Sequence, residues 1–435
     1  MTDLTIGMIC FAVLFLLIFW GMHIGFAMAL IGFVGFAILG GVKASVSMLG
    51  LVPYSTISSY TFSVLPLFLL MGEFASISGL MRDTYFAVYA WLGRVPGGLA
   101  MATIGGCAGF GAVSGSSIAG ASTMCRIALS EMRAYHYDDK LSTGTIAAGG
   151  TLAILIPPSL IFIIYGLIAE QSVGKLFLAG ILPGILLSVM FMMTIYIIAR
   201  MNPHMAPPGP AFGWKERLAA TRAALGLLLL FVIVMGGIWV GIFTPTEAAA
   251  VGAFGSFVFV LTRKMLNKQR LVSSLTGTIS TTGMAFGILI GAMIFNNFVA
   301  ISGLPTALAS FVTSISIPPI GVLLCILCVY FILGCLMDTM AMILLTMPIF
   351  VPVILALGYD PIWFGVVLTV MCEFGLITPP IGVTVFIVSG IANVPMYDVF
   401  KGISPFLISL LVFLAILILF PQLALVLPNT MMSSR

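Results

Sequence analysis

The chain has 435 residues, 61% of them hydrophobic and only 7% charged, with a net charge of +4 and a mean hydropathy of +1.25. That is too little polar surface to cover a water-soluble globule, so the chain needs a lipid bilayer around it. The small positive charge reflects topology, and nothing marks a nucleic-acid partner.

Apolar runs of about 18 or more residues recur along the whole length, and a bilayer core of roughly 30 Å takes about 20 helical residues per crossing. Runs between polar breaks predict full spans at 4–22, 24–42, 59–80, 143–169, 175–199, 223–242, 246–263, 273–298, 362–391 and 402–425. Two further apolar regions, 97–130 and 318–357, are too long for one crossing and carry Gly-rich or Asp-bearing centres, so both read as re-entrant helical hairpins. The Pro-rich stretch from Asn202 to Glu216 falls in a linker spanning 201–222. The first apolar run lacks a basic flank and a cleavage site, so no leader is expected.

Sorting Lys and Arg by side tests this arrangement. Arg82, Arg94, Arg126, Arg133, Lys140, Arg200, Lys215, Arg217, Arg222, Arg263, Lys264, Lys268, Arg270 and Lys401 fall on one face, and Lys43, Lys175 and Arg435 on the other. The richer face is cytoplasmic, and both termini are then periplasmic. Trp20, Trp91, Trp239 and Trp363 fall near span ends, as an interfacial belt would. The seven cysteines lie in apolar runs and read as packing residues, including the CxxC of Cys325 and Cys328, which has no second ligand pair. His23, His136 and His204 carry no zinc spacing.

The chain also matches itself. FASISGL at 74–80 and FVAISGL at 298–304 share five of seven residues at an offset of 224. Gly111, Ser116, Thr123 and Met124 fall on Gly334, Thr339, Thr346 and Met347, and Leu155–Pro158 falls on Ile377–Pro380. Each half, 1–200 and 223–435, therefore holds five spans and one hairpin. An odd number of crossings turns the second half upside down relative to the first. The expected fold is an all-α polytopic membrane protein built as an inverted repeat.

Such repeats place binding sites where helices are interrupted, because unwound carbonyls and free helix ends can hold ions. In IPPS (Ile156–Ser159) and TPPI (Thr378–Ile381) each Pro removes an N–H, so nearby carbonyls lose their helical partners. One such site reads as a kink; the pair, in register, reads as two broken spans. The tip of the first hairpin falls in GAVSGSSIAGAS (Gly111–Ser122), whose small residues allow close approach and whose hydroxyls suit a hard cation. Its mate carries Asp338 and Thr339, and an Asp at membrane depth is a functional candidate unless paired. Glu247 suits a helix cap; Glu73 and Glu373 could each support a site or pair with a neighbour.

FTPTEAAAVGA (Phe243–Ala253), GAVSGSSIAGAST, ILIPPS, GCLMDTMAMILLTMPIFVPV and GLITPPIGV together resemble the large membrane subunit of TRAP transporters, across nearly the whole chain. The resemblance implies an elevator-type importer of organic acid anions such as C4-dicarboxylates or sialic acid, coupled to Na+, in the bacterial inner membrane. It implies two partners, a periplasmic substrate-binding protein and a small four-helix membrane subunit, here a separate chain. Spans 4–42 and 223–263 would be scaffold, and links near Thr84–Arg94 and Pro305–Ser314 would join it to the moving hairpins and broken spans (143–169 and 362–391). One sodium site would use Ser114 and Ser117 with carbonyls around Ala153, Ile156 and Pro158. Its mate would use Asp338 or Thr339 with carbonyls around Gly375, Thr378 and Pro380. Substrate would sit between the tips, against Ser114, Gly115, Ser116, Ser117 and Pro157 on one side and Asp338, Thr339 and Pro379 on the other. A stand-alone carboxylate carrier, a channel and an intramembrane protease using Asp338 are the alternative readings.

Overall fold

The computed structural model describes residues 2–314 and 317–431, so the Arg435 of the charge sorting lies outside the described residues. Among those residues all regular structure is helical. The first half holds α1 (Asp3–Phe19), α2 (Ile24–Gly40), α3 (Val42–Ser58), a short 3-10 turn at Tyr60–Ser63, α4 (Val64–Ile77), α5 (Leu80–Leu92), α6 (Gly98–Ser114), α7 (Ser117–Ala134), α8 (Asp139–Leu155), α9 (Leu160–Ile168) and α10 (Val173–Met201). The second holds α11 (Trp214–Trp239), α12 (Pro245–Thr262), α13 (Lys268–Ile301), α14 (Leu304–Ser314), α15 (Pro319–Gly334), α16 (Thr339–Ala356), α17 (Pro361–Leu376), α18 (Val383–Ala392), α19 (Met396–Leu419) and α20 (Gln422–Asn429). A bilayer offers no water to backbone groups, which forces this choice on the crossing segments.

By length and composition alone, seven helices among the described residues can cross a membrane, or eight when α8 and α9, bent by 41° at their break, are taken as one. The sequence predicts ten crossings. The difference arises because α1 and α2 stop at 17 residues each and the α17–α18 pair is divided by a longer break. Length alone also passes α16, which the repeat assigns to a hairpin.

Polar residues at the start of apolar runs set the helix boundaries. Asp138, Ser172, Asn267 and Asp360 each accept an N–H of the first turn that follows. Thr244 and Glu247 form a reciprocal capping box before α12: the Thr244 N–H donates to Glu247 Oε2 at 2.8 Å, and the Glu247 N–H donates to Thr244 Oγ1 at 3.3 Å. Glu247 is therefore the cap that its position suggests. Thr244→Ala is expected to lose about 1 kcal/mol of stability, read as a lowered melting midpoint in detergent with uptake otherwise intact.

Four expectations change. Residues 43–58 carry no long apolar run, yet they form α3, because serine and threonine hydroxyls turn back onto helix carbonyls, as in Thr56 Oγ1 to Val52 O at 2.7 Å. In repeat register α3 and α4 together stand opposite the single long α13, so the second half keeps whole a helix that the first half breaks. The linker narrows to 202–213, because α11 starts at Trp214, and it is pinned down: Gly97 N–H donates to Ala206 O, Asp138 N–H to Met205 O and Gly209 N–H to Gly93 O, at 3.2, 3.0 and 2.8 Å. Trp363 does not join the interfacial belt; it is 1% exposed, and its indole donates to Leu417 O at 2.9 Å. Cys325 and Cys328 lie on the exposed face of α15, whereas the other five cysteines are buried.

The two halves interlock. α2 packs along α13 of the other half, and α12 packs along α4, two contacts that correspond in the repeat. Glycines let α2 and α13 touch backbone to backbone: a Cβ on Gly291 would lie 2.0 Å from Gly25 O, and one on Gly32 would lie 2.7 Å from Phe295 Cα. At the end of α12 the Arg263 guanidinium closes a polar clasp, bound to Asp83 and donating to Ser78 O at 3.2 Å and Ala223 O at 3.3 Å. The hairpins α6–α7 and α15–α16 and the broken spans α8–α9 and α17–α18 pack on one another, with α19 against α8. Arg133 pairs with Asp139 at 2.8 Å and donates to Ala392 O at 2.9 Å, and Lys140 pairs with Asp398 at 3.4 Å, which ties the ends of α7, α8, α18 and α19 together.

Candidate functional site

The first hairpin turns at Gly115, whose φ of +60° is the left-handed conformation that glycine adopts without a Cβ penalty. A Cβ there would lie 2.8 Å from Pro158 O and 3.0 Å from Leu160 N, so the tip rests on the break between α8 and α9. Four residues earlier, a Cβ on Gly111 would lie 2.6 Å from Ala153 Cα. Ser116 caps α7, its Oγ accepting the Ala119 N–H at 3.4 Å. Ser114 Oγ is shut off from solvent and has no hydrogen-bond partner among the described residues, and Ser117 is 3% exposed. Ser114 and Ser117 thus stand beside a break in which Pro157 and Pro158 leave the carbonyls of Ala153 and Ile154 without their helical donors.

The second tip repeats the plan with different chemistry. A Cβ on Gly375 would lie 2.7 Å from Gly334 Cα, the counterpart of the Gly111–Ala153 approach. Cys335 Sγ lies 3.7 Å from Pro379 O across the break. Asp338 caps α16, its Oδ2 accepting the Met340 N–H at 3.0 Å, and it is exposed. Thr339 is 2% exposed, and its hydroxyl faces Glu373. The Gly375 carbonyl, which Pro379 cannot serve, takes the Thr378 N–H at 3.1 Å. The Pro157–Pro158 and Pro379–Pro380 bonds are both cis, at matching places in the repeat. Pro157 and Pro158 are buried, whereas Pro379, Pro380 and Ile381 are exposed.

The structure therefore brings Ser114, Gly115 and Ser117 to the break at Ala153, Ile156 and Pro158, and Asp338 and Thr339 to the break that holds Gly375, Thr378 and Pro380. It adds Glu373, which the sequence leaves without a role. Glu373 is 2% exposed. Its side chain faces the hydroxyls of Ser117 and Thr339, one from each tip, and senses the charge of Asp338. A signal existed in the repeat: at an offset of 222 its mate is Thr151, so this carboxylate has no copy in the first half. Glu73 lies elsewhere, half-buried on α4 against Gly277 of α13, where a Cβ would lie 2.9 Å from its Oε1.

Residues 11–423 match the family described as "Tripartite ATP-independent periplasmic transporter, DctM component". The chain is 39% identical over 386 residues to the C4-dicarboxylate TRAP transporter large permease protein DctM of Pseudomonas aeruginosa, covering 88% of this chain and 90% of that one. It is 32% identical over 418 residues to the sialic acid TRAP transporter large permease protein SiaM of Vibrio cholerae, covering 95% and 96%. It is 36% identical over 382 residues to the ectoine TRAP transporter large permease protein TeaC of Halomonas elongata, covering 87% of each. Among solved structures it shares the fold of the YdaH transporter of Alcanivorax borkumensis, with a TM-score of 0.65 at 15% identity over 88% of this chain and 89% of that one. Several full-length matches to large permeases, on an all-helical fold with paired hairpins, lead to one conclusion: the chain is a multi-pass protein of the bacterial inner membrane and belongs to the DctM-component family of TRAP transporter large permeases.

Proposed function

We propose that this permease imports an organic acid anion down a sodium gradient, taking it from a periplasmic binding protein while bound to a small four-helix membrane subunit. The observation that carries the reading is the pairing of two hairpin tips with two broken spans, around the buried Glu373 carboxylate, the Ser117 and Thr339 hydroxyls that face it, and a Ser114 hydroxyl with no partner among the described residues. Buried polar atoms without partners are uncommon, and hydroxyl and carboxylate oxygens suit a hard cation. Sodium is held at the first tip by Ser114, Ser117 and the carbonyls of Ala153, Ile156 and Pro158, and at the second by Asp338 or Thr339 with Gly375, Thr378 and Pro380. The substrate lies between the tips, reached by Ser116 and Gly115 on one side and by the exposed Asp338 on the other, with Pro157 and Pro379 behind them. Bound sodium offsets the negative charge of the substrate and favours the loaded state, which is the linkage that drives uptake.

The interlocked α2, α4, α12 and α13 form the frame, and the hairpins with the broken spans form the block that carries the site across the membrane as an elevator. α5 and α14 join the two. The Arg-rich face is cytoplasmic and both termini are periplasmic. Relatives named for C4-dicarboxylate, sialic acid, ectoine and isethionate support a small organic acid as the substrate, with the choice among them made by the binding protein. In proteoliposomes that hold the permease and its small subunit, uptake is expected only when an inward sodium gradient and the binding protein are both present. Uptake indifferent to sodium would remove the coupling; uptake without the binding protein would make this a stand-alone carrier.

A further inference from the structure

Where α10, α11 and α20 meet, the surface holds a groove of about 590 Å³ lined only by apolar residues and glycine. Leu178 and Ile181 of α10, Gly236 and Trp239 of α11 and Leu427 of α20 face it, and the exposed Val232 and Ile242 lie along its mouth. Any crossing helix shows a flat apolar wall to lipid, but a concave one of this size has the shape and volume that hold a single ligand. Glycine keeps the groove open. A Cβ on Gly237 would lie 2.2 Å from Phe243 Cδ2, so that glycine serves packing, whereas a Cβ on Gly236 would meet nothing within 4 Å.

One end of the groove carries a charge. Lys175 stands one turn before Leu178 on α10 and is exposed. A Cβ on the adjoining Gly174 would lie 3.0 Å from Ile238 Cγ2, which sets this end of α10 against the Trp239 end of α11. The ion pairs among the described residues join Arg133 to Asp139, Lys140 to Asp398 and Arg263 to Asp83; none involves Lys175. The charge sorting also puts Lys175 on the face that holds few cations, so topology does not account for it. Trp239, whose indole donates to Thr430 Oγ1 at 3.2 Å, marks the same level as a membrane–water interface. We propose that the groove binds one anionic glycerophospholipid, with an acyl chain against Leu178 and Gly236 and the phosphate paired with Lys175. Chain and phosphate of such a lipid match an apolar groove that ends at an interfacial cation. The site is separate from the transport reading, since neither sodium nor the carried anion enters it.

The test uses the purified permease with its small subunit, stripped of lipid in detergent. Its melting midpoint is titrated with dioleoylphosphatidylglycerol, with dioleoylphosphatidylcholine as the zwitterionic arm, and bound phospholipids are counted by native mass spectrometry. The parent is expected to respond to phosphatidylglycerol at a lower concentration than to phosphatidylcholine. Gly236→Leu puts a side chain into the groove. It is expected to hold one phospholipid fewer per chain and to lose the response, with a lipid-free midpoint equal to or above the parent's, because leucine also favours the helix. Lys175→Gln is expected to raise the half-stabilising phosphatidylglycerol concentration about fivefold, to the level of phosphatidylcholine, and it carries the test if Gly236→Leu does not fold. A Gly236→Leu protein that binds as much phosphatidylglycerol as the parent at the same concentration overturns the proposal. So does a Lys175→Gln protein that keeps the preference for phosphatidylglycerol, or a parent that responds alike to both lipids. Each of these outcomes leaves sodium coupling standing, because uptake tests that separately.

Discussion

Sodium-driven uptake by a Ser114→Ala/Ser117→Ala variant is expected to fall by about a hundredfold, with no loss of folded protein. Each hydroxyl bound to a charged partner contributes about 1.5 kcal/mol, and 1.4 kcal/mol is about tenfold in an equilibrium constant, so two lost ligands give roughly that factor. The fold is spared at Ser114 because its Oγ has no partner to lose among the described residues, and at Ser117 the loss is confined to its contact with Glu373. A buried hydroxyl left unsatisfied is a burden on the apo state, and its removal is neutral or stabilising. Initial uptake rates at varied sodium, set beside melting midpoints in choline, separate the two effects. An unchanged half-saturating sodium concentration in the double variant would show that the first tip does not hold the ion.

The largest structural effect is expected at Gly291. A valine there would place its Cβ 2.0 Å from Gly25 O and 2.8 Å from Gly25 C, both backbone atoms that no rotamer change can move aside. α2 and α13 would have to separate along their length, at a cost above about 3 kcal/mol. The expected result of Gly291→Val is loss of the monodisperse peak in size-exclusion chromatography. Gly283, on the same helix, is the control: a Cβ there meets nothing within 4 Å, and Gly283→Ala should leave yield and midpoint unchanged or slightly raised. Equal behaviour of the two variants would mean that the close crossing of α2 and α13 does not hold the halves together.

The parts of this fold that can be read in the sequence are those whose chemistry is local. Consecutive prolines break a helix wherever they fall, so 156–159 and 378–381 announce themselves, and the small residues of 111–122 mark where the first tip falls. The capping box at Thr244 is equally local. The cross-packing of α2 on α13 and of α12 on α4 leaves no such mark, because in lipid an apolar face does not say whether it meets another helix or acyl chains. α3 stays hidden for a related reason: its serines and Pro53 lower the hydropathy of the run while their hydroxyls satisfy the helix from within. Trp363 is read as an interfacial ring when its indole in fact finds a carbonyl in the interior. Glu373 needs three separate elements to converge before its surroundings are visible, and only its mismatch with Thr151 hints at this in one dimension.

Interlocking also bears on how the protein is made. Synthesis delivers α2 and α4 to the membrane long before their partners α13 and α12 exist, because those partners occupy residues 245–301. The early helices must wait in lipid with their small-residue faces open, and Gly25, Gly32 and Gly35 are then stripes on which any passing helix could settle. Assembly is therefore late and collective: the frame closes only once α13 has been inserted, and the first half is a dependent fragment until that moment. A chain interrupted in the 202–213 segment would be inserted and then cleared by membrane quality control, and co-expression of the missing half as a separate polypeptide would rescue it.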